Sequence, residues 1–405
     1  MKEAREFEER IRGPEHSNIA LHRKGLGARL IADDEFEAAI ELRKGMLVRS
    51  ETPDALERRH HLLGRALQYV PCGCNLEAAV HHLQTAVDLT GRIGSVTAPS
   101  DQVSMLYDLG FALMACGHDH EALQVLSRGY EDARRLHGDG QVRTLRMRRT
   151  LAFTLGFTGS FAAAIEHLRA CLQHPRFNKA SVNSALGVQF FYLGQFDEAV
   201  TLFETAVSRS ERVDVGVRAL YHSNLARCLL ELGRTEAAAY LEVATAITSK
   251  LPLNHVDRLR DRHVAALLLG NDRSSVLELQ RLVVDASTTL HGKHRVLAMY
   301  YHDLSEACLR QHELVLAESY ARRALHIDLA RCEESWQAAR DRITLAEILE
   351  QCGRLEEAVD QLQRAVAPYV ATFGPEHRKV ASLERKVAAL QRFALQPSQP
   401  RTLNH

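Results

Sequence analysis

Long apolar runs are missing from this 405-residue chain. Its most apolar stretch, Val264 to Leu269, is far shorter than the roughly 20 residues a membrane-spanning helix needs. The charged opening MKEAREFEERIRGPEH has no apolar core of the kind a secretory signal carries, so a soluble, cytoplasmic protein is expected. An excess of one charge is missing too. Lys plus Arg and Asp plus Glu each number 51, and no net field draws the chain to nucleic acid or membrane. Glycine (23) and proline (10) are too scarce for a disordered or collagen-like chain. Eight cysteines are scattered, six of them lone residues in helix-like patterns, which excludes a disulfide framework of secreted type. Gly-rich phosphate loops, HExxH helices and GxSxG elbows are absent. Nothing marks a nucleophile, and no enzyme activity, metal or cofactor is expected.

What the chain has instead is an internal period. Hydrophobic residues make up 46% and charged residues 25%, enough to bury a long core. One phrase recurs: a small residue in an apolar helix, a gap, then an aromatic or leucine, an acid and an alanine. LGVQFFYLGQFDEAVTLFETAV from Leu186 and LAEILEQCGRLEEAVDQLQRAV from Leu345 are examples. A step of 12 residues links Gly27 to Ala39, Gly110 to Ala122, Ala152 to Ala164, Gly187 to Ala199, Ala226 to Ala238, Ser305 to Ala317 and Ala346 to Ala358. Gly64 to Ala79 takes 15 because of an insert around Pro71-Cys72-Gly73, and a degenerate copy runs from His263 to Ser275. The anchors at 27, 64, 110, 152, 187, 226, 263, 305 and 346 give nine copies at intervals of 35 to 46 residues. Each copy has room for two helices and two turns. Pro14, Pro53, Pro99, Pro175, Pro252 and Pro375 all fall between copies, where a missing N–H costs no helix bond.

These residues resemble the tetratricopeptide repeat, and the Gly-x-x-His linkers (GPEH at Gly13–His16 and Gly374–His377, LHGKH at Leu290–His294) resemble the longer repeats of kinesin light chains. The resemblance implies an all-α, right-handed alpha-solenoid of about nine antiparallel helix-turn-helix units. Its expected division is an N-terminal segment (1–16), a solenoid (17–375), a capping helix (376–394) and a disordered tail (395–405). It also implies a groove lined by the first helix of each unit, at anchor minus 6, minus 3, plus 1, plus 4 and plus 5. In repeats two to six those offsets include Arg58, His61, Arg65, Tyr69, Tyr107, Phe111, Arg146, Arg149, Phe153, Phe191, Tyr192 and Arg227. Asn224, two before its anchor, matches a family position that bonds a bound peptide's backbone. Arginine forks and aromatic rings suit an acidic or aromatic-bearing peptide. The function expected is a non-catalytic scaffold or adaptor holding a partner peptide or helix, with a peptide-responsive regulator as the alternative.

Two other readings are weaker. Cys72 and Cys74, flanked by His60-His61 and His81-His82, could hold zinc and make this a metal-binding or enzymatic protein, but one residue separates the cysteines where paired ligands usually have two to four between them. An inserted turn carrying thiols explains them more simply. Arg143, Arg146, Arg148 and Arg149 could neutralise phosphates, yet helical spacing splits them between two faces and the chain lacks a basic stripe.

Overall fold

The computed structural model describes residues 53–68, 75–92 and 98–395 except 176, 212, 291 and 293, together with 38, 40, 41 and 43–45. The first repeat's anchors, Tyr69, the Cys72–Cys74 turn, Pro14 and the 396–405 tail lie outside these residues. The described residues form an all-α repeat array. Its helices are α1 (Pro53–Gln68), α2 (Leu76–Arg92), α3 (Pro99–Cys116), α4 (Asp119–His137), α5 (Val142–Phe157), α6 (Phe161–Leu172), α7 (Lys179–Leu193), α8 (Phe196–Ser208) and α9 (Val215–Glu231). They continue as α10 (Ala237–Thr248), α11 (Val256–Leu268), α12 (Arg273–Thr289), α13 (Arg295–Arg310), α14 (Leu314–Arg331), α15 (Trp336–Gln351), α16 (Leu355–Phe373) and α17 (Arg378–Leu395). Odd-numbered helices up to α15 carry the first anchor of each repeat, and α1 packs on α2, α3 on α4, α7 on α8, α9 on α10, α11 on α12, α13 on α14 and α15 on α16. Two compact units result: Met1–Thr154 with Gln173–Phe177, and Leu155–Leu172 with Asn178–His405.

The anchors are small because the partner helix lies against them. A Cβ added at Gly187 would sit 2.7 Å from the Phe203 ring, and one at Gly110 would sit 2.5 Å from Leu126. Phe203, Leu126, Leu168 and Leu362 are buried in those spaces, each contributing about 1.5–3 kcal/mol by leaving water. The second anchors Ala79, Ala122, Ala164, Ala199, Ala317 and Ala358 are all fully buried. Repeat six departs from the step of 12. Its buried alanine is Ala237, and Ala238 faces solvent, so this turn is one residue tighter than the spacing suggests.

Helix ends explain the linkers. Pro53 and Pro99 open α1 and α3, where proline's fixed φ suits the first turn. His255, His294 and His377 are N-caps: each Nδ1 accepts the backbone N–H two residues on, at 3.2, 3.1 and 3.2 Å. The histidines of LHGKH and the second GPEH thus satisfy orphan donors at helix starts. Seven residues after its anchor, each repeat from the third to the ninth takes left-handed backbone to leave its first helix. Glycine fills that position six times, and His312, with φ 58°, fills it in repeat eight. Cys116, Cys171, Cys228 and Cys308 are buried, whereas Cys332 and Cys352 sit at helix C-termini and not inside helices. Among the described residues no helix is long and apolar enough to cross a membrane.

Candidate functional site

In the first unit the predicted residues lie on α1, α3 and α5. Arg58, His61, Arg65 and Gln68 follow one another at helical spacing along a face of α1, and Arg58 is exposed. His61 Nε2 meets Asp108 Oδ2 of α3 at 2.7 Å, and Arg65 Nε approaches the same oxygen at 3.3 Å. Gln68 donates to the Asp108 backbone carbonyl. Beside Asp108, the rings of Tyr107 and Phe111 stack 6.5 Å apart, and Phe111 is 40% exposed. On α5, Arg146 is exposed while Arg149 and Phe153 are half-buried. Arg148 leaves this face, its guanidinium 5.7 Å from the Tyr130 ring, and Arg143 is exposed. The four arginines therefore form no phosphate-tracking stripe.

The second unit spends its predicted site residues on itself. Arg227 of α9 reaches Glu231 at 3.1 Å and, two repeats away, Asp303 of α13 at 3.4 Å, with the Phe191 ring 5.9 Å from its guanidinium. His263 of α11 meets the same Asp303 oxygen at 2.7 Å. Asn224 is half-buried on α9. Tyr192 joins an aromatic cluster with Phe161 (6.3 Å), Trp336 (5.1 Å) and Phe191 (5.7 Å), and Phe373 stacks on Phe161 at 5.8 Å. Backbone carbonyls complete this clasp: Gln337 donates to Phe157, Arg378 to Gly194 and Lys379 to Tyr192, each at 2.9 Å. Arg295 of α13 lies 4.0 Å over the Phe157 ring. Segments some 180 residues apart are thus in direct contact, and the unit closes on itself.

The same offsets applied beyond repeat six would have found the charged residues inside this closure. Arg260 and His302 are three before their anchors, Glu306 is one after, and Arg340 is six before. His302 Nδ1 lies 3.0 Å from Asp341 and its Nε2 3.4 Å from Glu306. Arg340 reaches Asp341 at 2.8 Å and Asp328 at 3.9 Å, and Arg331 holds Asp328 at 2.9 Å. Ligand atoms of His302, Asp303 and Glu306 come within 4.8 Å of one another, but Arg227 already supplies positive charge to Asp303.

These surroundings set the protonation states. Burial and Arg340 pull His302 down, but Glu306 and Asp341 prevail and hold it up at about 9. Burial drives Asp328 up to about 7, aided by the Asp341 carboxylate. Burial would raise Asp303, yet Arg227 and His263 hold it well below the usual carboxylate range. Burial pushes His263 down despite Asp303. The buried thiols Cys228 and Cys308 are pushed up to about 12 and 11, first by burial, which makes them poor nucleophiles.

A pH dependence follows. His302 has a folded pKa above its ordinary 6.5, so its contribution is complete below 6.5 and is lost as pH rises through about 9. Asp328 has the same sign, losing its contribution between its ordinary 3.8 and about 7. Asp303 and Glu306, both lowered, are fully ionised throughout this range. Urea unfolding at pH 6.5 and pH 9.5 should show a loss on the order of 2 kcal/mol. His302→Gln should flatten the profile, and an unchanged slope would show that His302 does not carry it.

Sequence models of the family described as tetratricopeptide repeat match residues 178–248 and 342–379. Those two segments are tetratricopeptide repeats. No curated protein matches the chain. Among solved structures, the Rap conjugation gene regulator of plasmid pLS20, in complex with the Phr* peptide, is similar at 14% identity and TM-score 0.57. That match covers 76% of this chain and 95% of that chain. A Rap protein complexed with competence and sporulation factor is 14% identical with TM-score 0.52, over 93% of this chain and 100% of its own. The apo quorum sensor NprR of B. thuringiensis is 13% identical with TM-score 0.52, over 92% and 98%. At such identities the likeness is one of fold.

Proposed function

We propose that this tetratricopeptide protein is a non-catalytic, cytoplasmic interaction adaptor whose first unit takes an acidic, aromatic-bearing peptide segment of a partner. The observation that carries the reading is the set of cationic and aromatic side chains that α1, α3 and α5 leave open to solvent. Arg58, Arg65 and Arg146 offer accessible cationic forks on α1 and α5, and the stacked Tyr107–Phe111 pair leaves a partly exposed aromatic surface on α3. Guanidinium groups bind carboxylates with two parallel donors and stack on rings. Opposite charge across such a face speeds encounter and fixes register. Rap proteins of similar fold are complexed with a Phr* peptide and with competence and sporulation factor, which supports a peptide as the class of partner. In the second unit Arg227 and Tyr192 are engaged within the chain.

The test is fluorescence anisotropy with a labelled decapeptide of alternating Glu and Tyr, against a Gln/Tyr peptide as control. Arg146→Glu with Arg149→Glu should weaken binding of the acidic peptide about tenfold or more and leave far-UV circular dichroism unchanged. Unaltered affinity would remove this face from the function.

A further inference from the structure

One carboxylate on the proposed face is already held as a ligand would be. Asp108 Oδ2 meets His61 Nε2 at 2.7 Å and lies 3.3 Å from Arg65 Nε, an ion pair without hydrogen-bond alignment. The same grip recurs twice in the second unit. Asp303 Oδ2 takes His263 Nε2 at 2.7 Å and Arg227 Nη1 at 3.4 Å. Asp341 Oδ1 takes Arg340 Nη2 at 2.8 Å and lies 3.0 Å from His302 Nδ1. Each time a histidine on one repeat's first helix reaches an aspartate on the next: α1 to α3, α11 to α13, α13 to α15. Each is a carboxylate set between an imidazole and a guanidinium, the arginine coming in turn from the histidine's helix, from an earlier repeat and from the aspartate's own helix.

Exposure separates the copies. The Asp303 and Asp341 side chains are sealed, at 7% and 0%. A charge buried there and deprived of its partner has no water to fall back on, so those two receptors are fixed cross-links. At the first copy Asp108 is 15% and Arg65 42% exposed. With His61 at 12% its members still keep contact with water when they part, and exposed Arg58 on α1 and the Tyr107–Phe111 rings on α3 neighbour them in sequence.

We infer that Asp108 is a built-in competitor: it occupies the His61–Arg65 receptor until an acidic side chain of the partner peptide exchanges with it. The inference rests on the binding reading above and assigns the peptide's carboxylate a seat. Asp108 both blocks the donors and repels an incoming acid, so it sets a threshold that only a segment with several acidic groups passes.

Asp108→Asn keeps the side-chain shape and a hydrogen-bond acceptor for His61 while removing the charge. This variant should bind the labelled Glu/Tyr peptide about tenfold more tightly than wild type. Adding His61→Ala and Arg65→Ala should erase the gain. In Asp108→Ala, sodium acetate should raise the melting temperature above that in sodium chloride at equal ionic strength, with no such difference in wild type. If Asp108→Asn binds no better while wild type binds and Arg146→Glu with Arg149→Glu still weakens it, the competitor is overturned and the binding face stands. If neither wild type nor Asp108→Asn binds the peptide, both are overturned.

Discussion

Arg340→Ala should cost about 3–5 kcal/mol in chemical denaturation, the penalty for breaking a buried ion pair from one side. Arg340 is the cation between two carboxylates that water cannot reach, Asp341 at 0% and Asp328 at 2% exposure. Among the described residues Asp341 Oδ2 already has no hydrogen-bond partner, so removing the guanidinium leaves that carboxylate to His302 alone. Asp328 keeps Arg331 and takes up a proton more readily. The loss should therefore be larger at pH 9 than at pH 6, where Asp328 is protonated and His302 charged. An exposed pair provides the control. Arg234→Ala, which breaks the surface contact with Glu236, should leave stability unchanged within error. Equal effects of the two variants would refute the buried network as a major stabilising element.

The second large effect is expected at Trp336, the chain's single tryptophan. It is 6% exposed and touches Phe161, Tyr192 and Phe373. Trp336→Ala should cost about 3–5 kcal/mol from lost transfer and cavity energy. What distinguishes it from any other core truncation is where protection is lost. Hydrogen exchange should quicken in α6 and α7 as well as in α15, α16 and α17, because the clasp joins the two regions. Phe203→Ala, buried against Gly187, should cost a similar amount without freeing α15. Exchange in α6 unaffected by Trp336→Ala would mean that the clasp does not hold these segments together. In wild type, burial within the aromatic cluster makes the tryptophan emission itself a monitor of closure.

The repeat could be read from the sequence because its cause is local. A small anchor and an alanine 12 residues on are dictated by one helix lying on the next, and the structure places Gly110, Gly187 and Ala346 where that logic requires. The tighter turn before Ala237 was hidden because Ala237, Ala238 and Ala239 are identical. The left-handed position seven after each anchor was legible in principle, since glycine fills it in every described case but His312. The histidine linkers were visible as words, but only the structure shows the imidazoles capping helices. On the candidate site, the offsets brought His61 and Arg65 to one face, and the same rule extended to later repeats reaches His302 and Arg340. Asp108 and Asp303 lie two before their anchors, a register that the family resemblance marks only at Asn224. The clasp was not legible at all. It depends on small rotations accumulated over five repeats, and nothing in a local pattern records that Gln337 will meet Phe157.

That clasp changes what kind of object the second unit is. An open solenoid is a one-dimensional stack, in which each repeat feels only its neighbours and copies can be gained or lost at little cost. Contacts between α6–α7 and α15–α17 impose a closing condition: the number of repeats between them, and the rotation each contributes, must bring Tyr192 to Trp336. Insertion or deletion of one repeat would miss the closure by a whole helix pair. Within this unit the array has a fixed count, and it should melt as one cooperative body and not fray from its ends.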